Sequence, residues 1–217
     1  GSNYLINQSA ACTVDEVKFT DCEGTGFKNA FFRLQGSESK VINKLKIDNC
    51  IFHDMCAGYS FIHVDASKGA GVVKNISISN TTIYNVAVTG KMFIYSRNTD
   101  MESIAIDHLT MYNSIGNNQY LIDFDKNGQG AKSLTISNSL FTKSADGAVA
   151  NKGIRQSGTT TYDNVYYTSD FVMPLSGASA FDGTADDVFT DPANGNFTLK
   201  GSIIRLGVGD SRWIPTE

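Results

Sequence analysis

The sequence predicts an all-β fold, a single-stranded right-handed parallel β-helix of about six coils of 26–31 residues with a C-terminal cap. Three observations carry this. One phrase recurs six times: Val17-Lys-Phe19-Thr-Asp21, Leu45-Lys-Ile47-Asp-Asn49, Ile76-Ser-Ile78-Ser-Asn80, Ile104-Ala-Ile106-Asp-His108, Leu134-Thr-Ile136-Ser-Asn138 and a weaker Thr160-Thr-Tyr162-Asp-Asn164. Its equivalent positions 19, 47, 78, 106, 136 and 162 lie 28, 31, 28, 30 and 26 residues apart, a solenoid period. The composition is turn-rich and β-prone, with 39 Ser plus Thr, 18 Asn and 20 Gly. The three prolines, Pro174, Pro192 and Pro215, fall in the last fifth, so a long stretch is free to hydrogen-bond as continuous sheet.

Each phrase alternates apolar and polar residues, which marks a strand with one buried face. Stacked about 4.8 Å apart, equivalent side chains form inward columns, Val17/Leu45/Ile76/Ile104/Leu134 and Phe19/Ile47/Ile78/Ile106/Ile136/Tyr162. The column Asp21/Asn49/Asn80/His108/Asn138/Asn164 takes the bend after the strand, because Asn tolerates left-handed geometry and its amide can bond the coils on either side. On this reading His108 is a corner residue. An apolar residue follows three places later, as Phe52, Ile83, Met111, Phe141 and Tyr167, while in the first repeat Gly24 and Phe27 straddle the position.

A second strand-like run comes ten to thirteen residues after each corner: Phe31-Phe-Arg-Leu34, Phe61-Ile-His-Val64, Phe93-Ile-Tyr-Ser96, Leu121-Ile-Asp-Phe124 and a degraded Ala148-Val-Ala-Asn151. Two visible strands per coil leave room for a third short one. A β-sandwich would show turns every 8–12 residues without a long-period phrase, and leucine-rich repeats would carry Leu where this chain has Ile, Phe and Thr. If Phe32/Ile62/Ile94/Ile122 and Leu34/Val64/Ser96/Phe124 point inward, alternation sends Phe31/Phe61/Phe93/Leu121, Arg33/His63/Tyr95/Asp123 and Gln35/Asp65/Arg97/Asp125 outward. Stacked aromatics beside mixed charges suit a polysaccharide-binding face, since rings pack on sugar C–H surfaces and charges bind hydroxyls or carboxylates. The expected binding residues are therefore Phe31, Arg33, Phe61, His63, Asp65, Phe93, Tyr95, Arg97, Asp123 and Asp125. The opposing reading has the aromatics covered and the charges paired across rungs.

The chain divides into a β-helix over 1–190 and a capping segment of the same domain over 191–217. That segment carries Asp191-Pro192, Gly195-Asn-Phe-Thr-Leu199 and Gly209-Asp-Ser-Arg-Trp213. A solenoid must cover its last coil, and Trp213 suits that. No comparable cap is visible at the N-terminal end, where further coils or a domain are expected upstream, and Gly1-Ser2 reads as a cloning remnant. With its coils and this ending, the whole chain resembles the C-terminal β-helix domains of the pectin-lyase-like superfamily in surface and secreted proteins of glycan-degrading gut bacteria. Ser211 departs from the Pro common in relatives. The resemblance implies an extracytoplasmic setting, secreted or at the cell surface, and a glycan ligand. Superfamily members with assigned activity are mostly lyases and hydrolases, but fold does not transfer the reaction. Of the polygalacturonase-like motifs only Asn98-Thr99-Asp100 is present; Asp186-Asp187 lies in the tail and no Gly-His-Gly or Arg-Ile-Lys occurs.

With 41% hydrophobic and 18% charged residues and a net charge of −4, the chain is a folded domain without a basic surface for nucleic acid or anionic lipid. No apolar run is long enough to span a bilayer, and a monomer is expected. Asp123-Phe-Asp125-Lys-Asn127-Gly128 begins like a calcium loop, but Leu134 stands where the bidentate Glu would be. An EF-hand is excluded, a looser calcium site stays open, and no cofactor is otherwise expected. Cys12, Cys22, Cys50 and Cys56 have no zinc spacing; Cys22 and Cys50 stack as a disulfide or as free buried thiols. His53 beside Asp54 reads as a surface contact. The first expectation is thus a module that binds a polysaccharide along the second-strand face. The alternatives are a lyase or hydrolase on that face, with Arg33, Arg97 or Lys152 as base and Asp65, Asp123 or Asp125 as acids, and a structural stalk without a glycan site.

Overall fold

In a computed structural model, which describes residues 3–125 and 128–215, the chain winds as a β-solenoid of about six turns built from parallel strands. Sheet one holds the phrases, on Cys12–Thr20, Lys40–Asp48, the first parts of Gly71–Val86 and Met101–Ser114, Ala131–Ser137 and Thr160–Asp163. The expected third strand follows the corner and forms sheet two: Glu23–Thr25, Ile51–Met55, the ends of the two long strands, Leu140–Ser144 and Tyr166–Thr168. The second runs form sheet three: Tyr4–Gln8, Ala30–Leu34, Ile62–Val64, Ile94–Ser96, Ile122–Phe124 and Ile154–Arg155. The fifth run is therefore Ile154–Arg155, paired with Ile122 and Asp123, and not Ala148–Asn151. A sixth strand, Tyr4–Gln8, precedes the first recognised run.

Phrase registers hold throughout, with Leu45 against Ile76, Ile76 against Ile104 and Ile106 against Ile136. These interior side chains are fully buried, each stabilising the fold by about 1.5–3 kcal/mol against exposure. Every residue of the Asn column has positive φ: Asp21 55°, Asn49 54°, Asn80 44°, His108 51°, Asn138 44° and Asn164 54°. Its side chains bond from rung to rung, Asn49 Nδ2 donating to Asp21 Oδ1 and Asn164 Nδ2 to Asn138 Oδ1. His108 belongs to the corner, its Nδ1 2.9 Å from Asp107 Oδ2. A second corner lies five residues on, at Gly26, Asp54, Asn85, Asn113 and Lys143, again all at positive φ. Asn113 donates to Asn85 and Asn85 to Asp54, at 2.7 and 2.9 Å. In the first coil Gly24 replaces the apolar residue of sheet two, because a Cβ there would stand 2.8 Å from the Phe52 ring. Cys22 and Cys50 are free thiols on adjacent coils, each donating to the carbonyl two residues back. Burial pushes the Cys56 thiol up to about 12.

Two further expectations are corrected. Phe31, Phe61, Phe93 and Leu121 point inward and are 0% exposed. Phe31 stacks on Phe61 at 4.6 Å and Phe61 on Phe93 at 5.3 Å inside the core, with Phe19 and Phe52 at the edges of Phe31. From the second coil onward the extended strand begins only at Ile62, Ile94 and Ile122. The residue before it sits in the bend, where alternation no longer decides direction.

The terminal series also does not cover the last coil. Phe171, Met173 and Leu175 close that end of the interior. The segment that follows folds back along the outside of sheet two, where Val188, Phe189, Phe197, Leu199, Ile203 and Val208 join Tyr112 and Leu140 in a second apolar cluster. Outward apolar side chains on sheet two need such a cover. The strap ends on the early coils: Asp210 N–H donates to Thr110 Oγ1, while Thr82 Oγ1 donates to Asp210 Oδ2 and accepts from Trp213 Nε1 at 2.7 Å. Ser211 and Arg212 donate to Asn80 and Asn49 of the first corner. Gly209, at φ 82°, lets the strap approach so closely that a Cβ would lie 2.7 Å from Thr110 Oγ1.

Candidate functional site

The strap leaves the outer face of sheet three open. Its register places Asn7, Arg33, His63, Tyr95, Asp123 and Arg155 in one outward column, one residue per rung. A rung-to-rung backbone bond sets the column beside it, Asp65 N–H on Leu34 O, Arg97 on Val64 and Asp125 on Ser96. Between the columns and the approaching turns lies an open groove of about 480 Å³ over the second to fourth coils, bordered by Tyr59, Lys91 and Gln119.

At the N-terminal end, Arg33 grips Asp65 with two parallel bonds, Nε to Oδ1 at 3.0 Å and Nη2 to Oδ2 at 2.5 Å, and donates to the Tyr4 hydroxyl at 2.9 Å. Its guanidinium lies 4.0 Å from the Tyr59 ring centre, a geometry that stabilises the charge further. Burial opposes ionisation of Asp65, yet His63 and the Arg33 guanidinium outweigh it and hold the carboxyl at about 2. His63 accepts from Ser60 N–H at Nδ1, 3.4 Å away, and its Nε2 lies 3.6 Å from Asp65. Burial pushes its pKa down, so the ring is neutral at pH 7. The His63 ring stacks on Tyr95 at 4.6 Å and meets Tyr59 edge-on at 4.8 Å. These rings cover one another along the solenoid axis, so Tyr95 offers its edge and hydroxyl more than its face. Burial and then Asp125 push that hydroxyl up to about 12.

At the other end Arg155 binds Asp123 through Nε at 2.6 Å and Nη2 at 3.0 Å, and reaches Asp125 at 3.2 Å. Its bond to Asp123 raises its own pKa, and its guanidinium lies 4.7 Å from the Tyr120 ring centre. Arg97 is half exposed, with one loose approach of 3.6 Å to Asp125. Lys91 has no carboxylate partner among the described residues. Lys91 and Arg97 line the groove with Asp65, Asp123 and Asp125, and Arg33 and Arg155, from outside that lining, pair with Asp65 and Asp123; together the seven groups carry a surplus of one positive charge in a chain of net −4.

Of the ten expected residues, Arg33, His63, Asp65, Tyr95, Arg97, Asp123 and Asp125 come together here, whereas Phe31, Phe61 and Phe93 are core. Tyr4, Tyr59, Lys91, Tyr120 and Arg155 were absent from the expectation. Arg155 had a signal, since Ile154 lies 32 residues after Ile122 as Ile94 does after Ile62. Of the calcium-loop sequence, Lys126 and Asn127 lie outside the described residues, and Asp123 and Asp125 turn to Arg155. Among the described residues no three metal-ligating side chains converge. Asn98-Thr99-Asp100 serves the backbone, Asp100 accepting from Gly130 N–H at 2.9 Å, and Asp187 caps the short helix Ala185–Val188. His53 lies between Asp54 and Glu23, at 2.6 and 3.2 Å, away from the groove.

Comparison with known families divides the chain at its middle. Residues 1–114 match a domain of unknown function, DUF4957, and residues 104–213 another, DUF5123, each just over half of the 217 residues. The chain belongs to both families. No curated protein and no solved structure matches it. The DUF4957 and DUF5123 spans are not separate bodies: they overlap on the strand Met101–Ser114, which pairs with Gly71–Val86 on one side and with Ala131–Ser137 and Leu140–Ser144 on the other. The strap of the DUF5123 span also bonds Asn49, Asn80 and Thr82 of the DUF4957 span. The groove crosses the same boundary, taking Asp65 and Arg97 from one span and Asp123 and Asp125 from the other. No helix among the described residues is long and apolar enough to cross a membrane.

Proposed function

We propose that the chain is an extracytoplasmic polysaccharide-binding module whose ligand lies along the solenoid axis in the groove of sheet three. The carrying observation is Lys91, without a carboxylate partner among the described residues, and the loosely held Arg97, in an open groove where Asp65 and Asp123 are fixed by bidentate pairs. Fixed side chains bind without an ordering cost, and a rung repeat of about 4.8 Å sets polar side chains at regular intervals along a chain polymer. The surplus positive charge favours acidic units. Pectin-lyase-like descent and a place at the cell surface agree with this reading and remain part of the proposal.

Binding accounts for the groove better than catalysis. Both nitrogens of His63 face protein groups, and the guanidinia of Arg33 and Arg155 are clamped by carboxylates, so none of these is a free base within reach of a substrate proton. Electrophoresis through gels containing polygalacturonate, alginate, galactan or β-glucan tests the proposal. We expect retardation in at least one acidic polymer, weakened by salt and by Lys91→Ala with Arg97→Ala. Equal mobility in every gel would overturn it.

A further inference from the structure

The charges on the outer face of sheet three are sorted by rung. Coil three brings both cations of the groove lining, Lys91 and Arg97, while coil two brings Asp65 and coil four Asp123 and Asp125. One rung further out the cations return, as Arg33 on coil one and Arg155 on coil five. Sign therefore alternates along the solenoid axis with a period of two rungs, about 9.6 Å at the sheet spacing. The backbone positions are equivalent from rung to rung, so the side chains alone make the alternation. Tyr59, Lys91 and Gln119 each stand three residues before the paired Ile62, Ile94 and Ile122, and Asp65, Arg97 and Asp125 each donate a backbone N–H to the rung before.

Availability is sorted in the same way. Both oxygens of Asp65 are taken by Arg33, and both of Asp123 by Arg155. On coil three Arg97 is half exposed with one loose approach to Asp125, and Lys91 has no carboxylate partner among the described residues. A ligand carboxylate is thus stabilised at coil three. One rung to either side it would meet Asp65, or Asp123 and Asp125, and like charges set side by side cost affinity. The rest of the lining there is neutral, Tyr59 and His63 on coil two and Gln119 on coil four. Gln119 and Asp125 suit the hydroxyls or acetamido group of an uncharged sugar, the amide as donor and acceptor and the carboxylate as acceptor.

We infer that the groove selects an acidic polysaccharide whose carboxylates recur on every second unit, one of them seated on Lys91 and Arg97 and the uncharged units lying over Asp65 and Asp125. The inference rests on the proposed binding function and narrows it from acidic polymers in general to an alternating one. A sugar unit in an extended chain advances by about one rung. A polymer acidic at every unit therefore sets carboxylates against the anionic rungs, whereas an alternating one meets cations again two rungs on.

Isothermal titration of the full chain tests this with two hexasaccharides, one from hyaluronan, in which glucuronate alternates with N-acetylglucosamine, and hexagalacturonate, which is acidic throughout. The proteins are wild type, Lys91→Ala and Gln119→Lys, both substitutions lying at the groove's border and outside the core. We expect wild type to bind the alternating hexamer about ten-fold more tightly than hexagalacturonate, and Lys91→Ala to lose about ten-fold for the alternating hexamer. Gln119→Lys places a cation on coil four and should strengthen hexagalacturonate binding, so that the ratio shrinks. Equal affinities in wild type, a preference for hexagalacturonate, or a ratio that Gln119→Lys leaves unchanged would overturn the alternation, and the groove reading would stand wherever Lys91→Ala still weakens binding. Wild type binding neither hexamer would overturn the inference together with the acidic-ligand reading beneath it.

Discussion

Two outer faces of one solenoid have met opposite ends. Sheet two carries Tyr84, Tyr112, Leu140 and Tyr166 outward, and the strap covers them with a second core and closes its polar contacts at Thr82, Thr110 and Asp210. Sheet three carries Arg33, His63, Tyr95, Asp123 and Arg155 outward, on a face that the strap does not reach. Its charges instead pair across rungs, and Lys91 is left over. The contrast teaches that an outward column's composition decides its fate: apolar columns recruit cover from the chain itself, whereas charged ones close on one another, burying Arg33, His63 and Asp123 while Arg97 stays exposed.

The largest effects should come from the covered face. Phe197 is fully buried among Tyr84, Tyr112, Phe189 and Trp213, so Phe197→Ala should cost about 3–5 kcal/mol, read as a fall in the urea midpoint. Tyr95→Ala on the open face should cost far less; an equal loss would erase the distinction. Next, Asp210→Ala strands the Thr82 hydroxyl and the Arg212 N–H, both of which donate to its carboxylate, and should cost about 1–3 kcal/mol, checked by the same midpoint.

Acid should separate the faces by sign. Asp65 is held at about 2, below the unfolded value of about 3.9, so its contribution is present above the unfolded pKa and is lost as pH falls from about 4 through 2. Burial raises the Asp210 pKa, against the bonds from Thr82 and Arg212; its contribution is complete below the unfolded pKa and is lost as pH rises through the folded value. Urea midpoints between pH 2 and 7 should therefore show Asp65→Asn removing acid sensitivity and Asp210→Asn removing a loss at higher pH. The same sign for both would contradict the assignment. Smallest of all, Lys91→Ala should shift stability by no more than about 0.5 kcal/mol, which makes it the clean probe of binding.

The sheet-one phrase and the first corner were legible because each rests on a local rule, alternation and the left-handed tolerance of Asn, repeated six times. The second corner obeyed the same rule at a constant offset of five residues, from Asn49 to Asp54, Asn80 to Asn85 and His108 to Asn113, and could have been found. Phe61 and Phe93 misled because alternation was extended across a bend, and Phe31 because every residue of its strand, Ala30–Leu34, is buried. Arg155 was hidden because its strand is only two residues long. The strap's course was beyond local reading: the Arg212 to Asn49 contact joins residues 163 apart, and the series that looked like an end cap gives no hint of which coil it reaches.

The central claim is that sheet three, and not the strapped face, meets the ligand. Hydrogen exchange followed by mass spectrometry, with and without saturating polygalacturonate, tests it directly. The account predicts slowed exchange in 59–65, 91–97 and 119–125, with the strap over 201–215 unchanged. Slowing confined to the strap or to sheet two, or none at all in the groove segments, would contradict it.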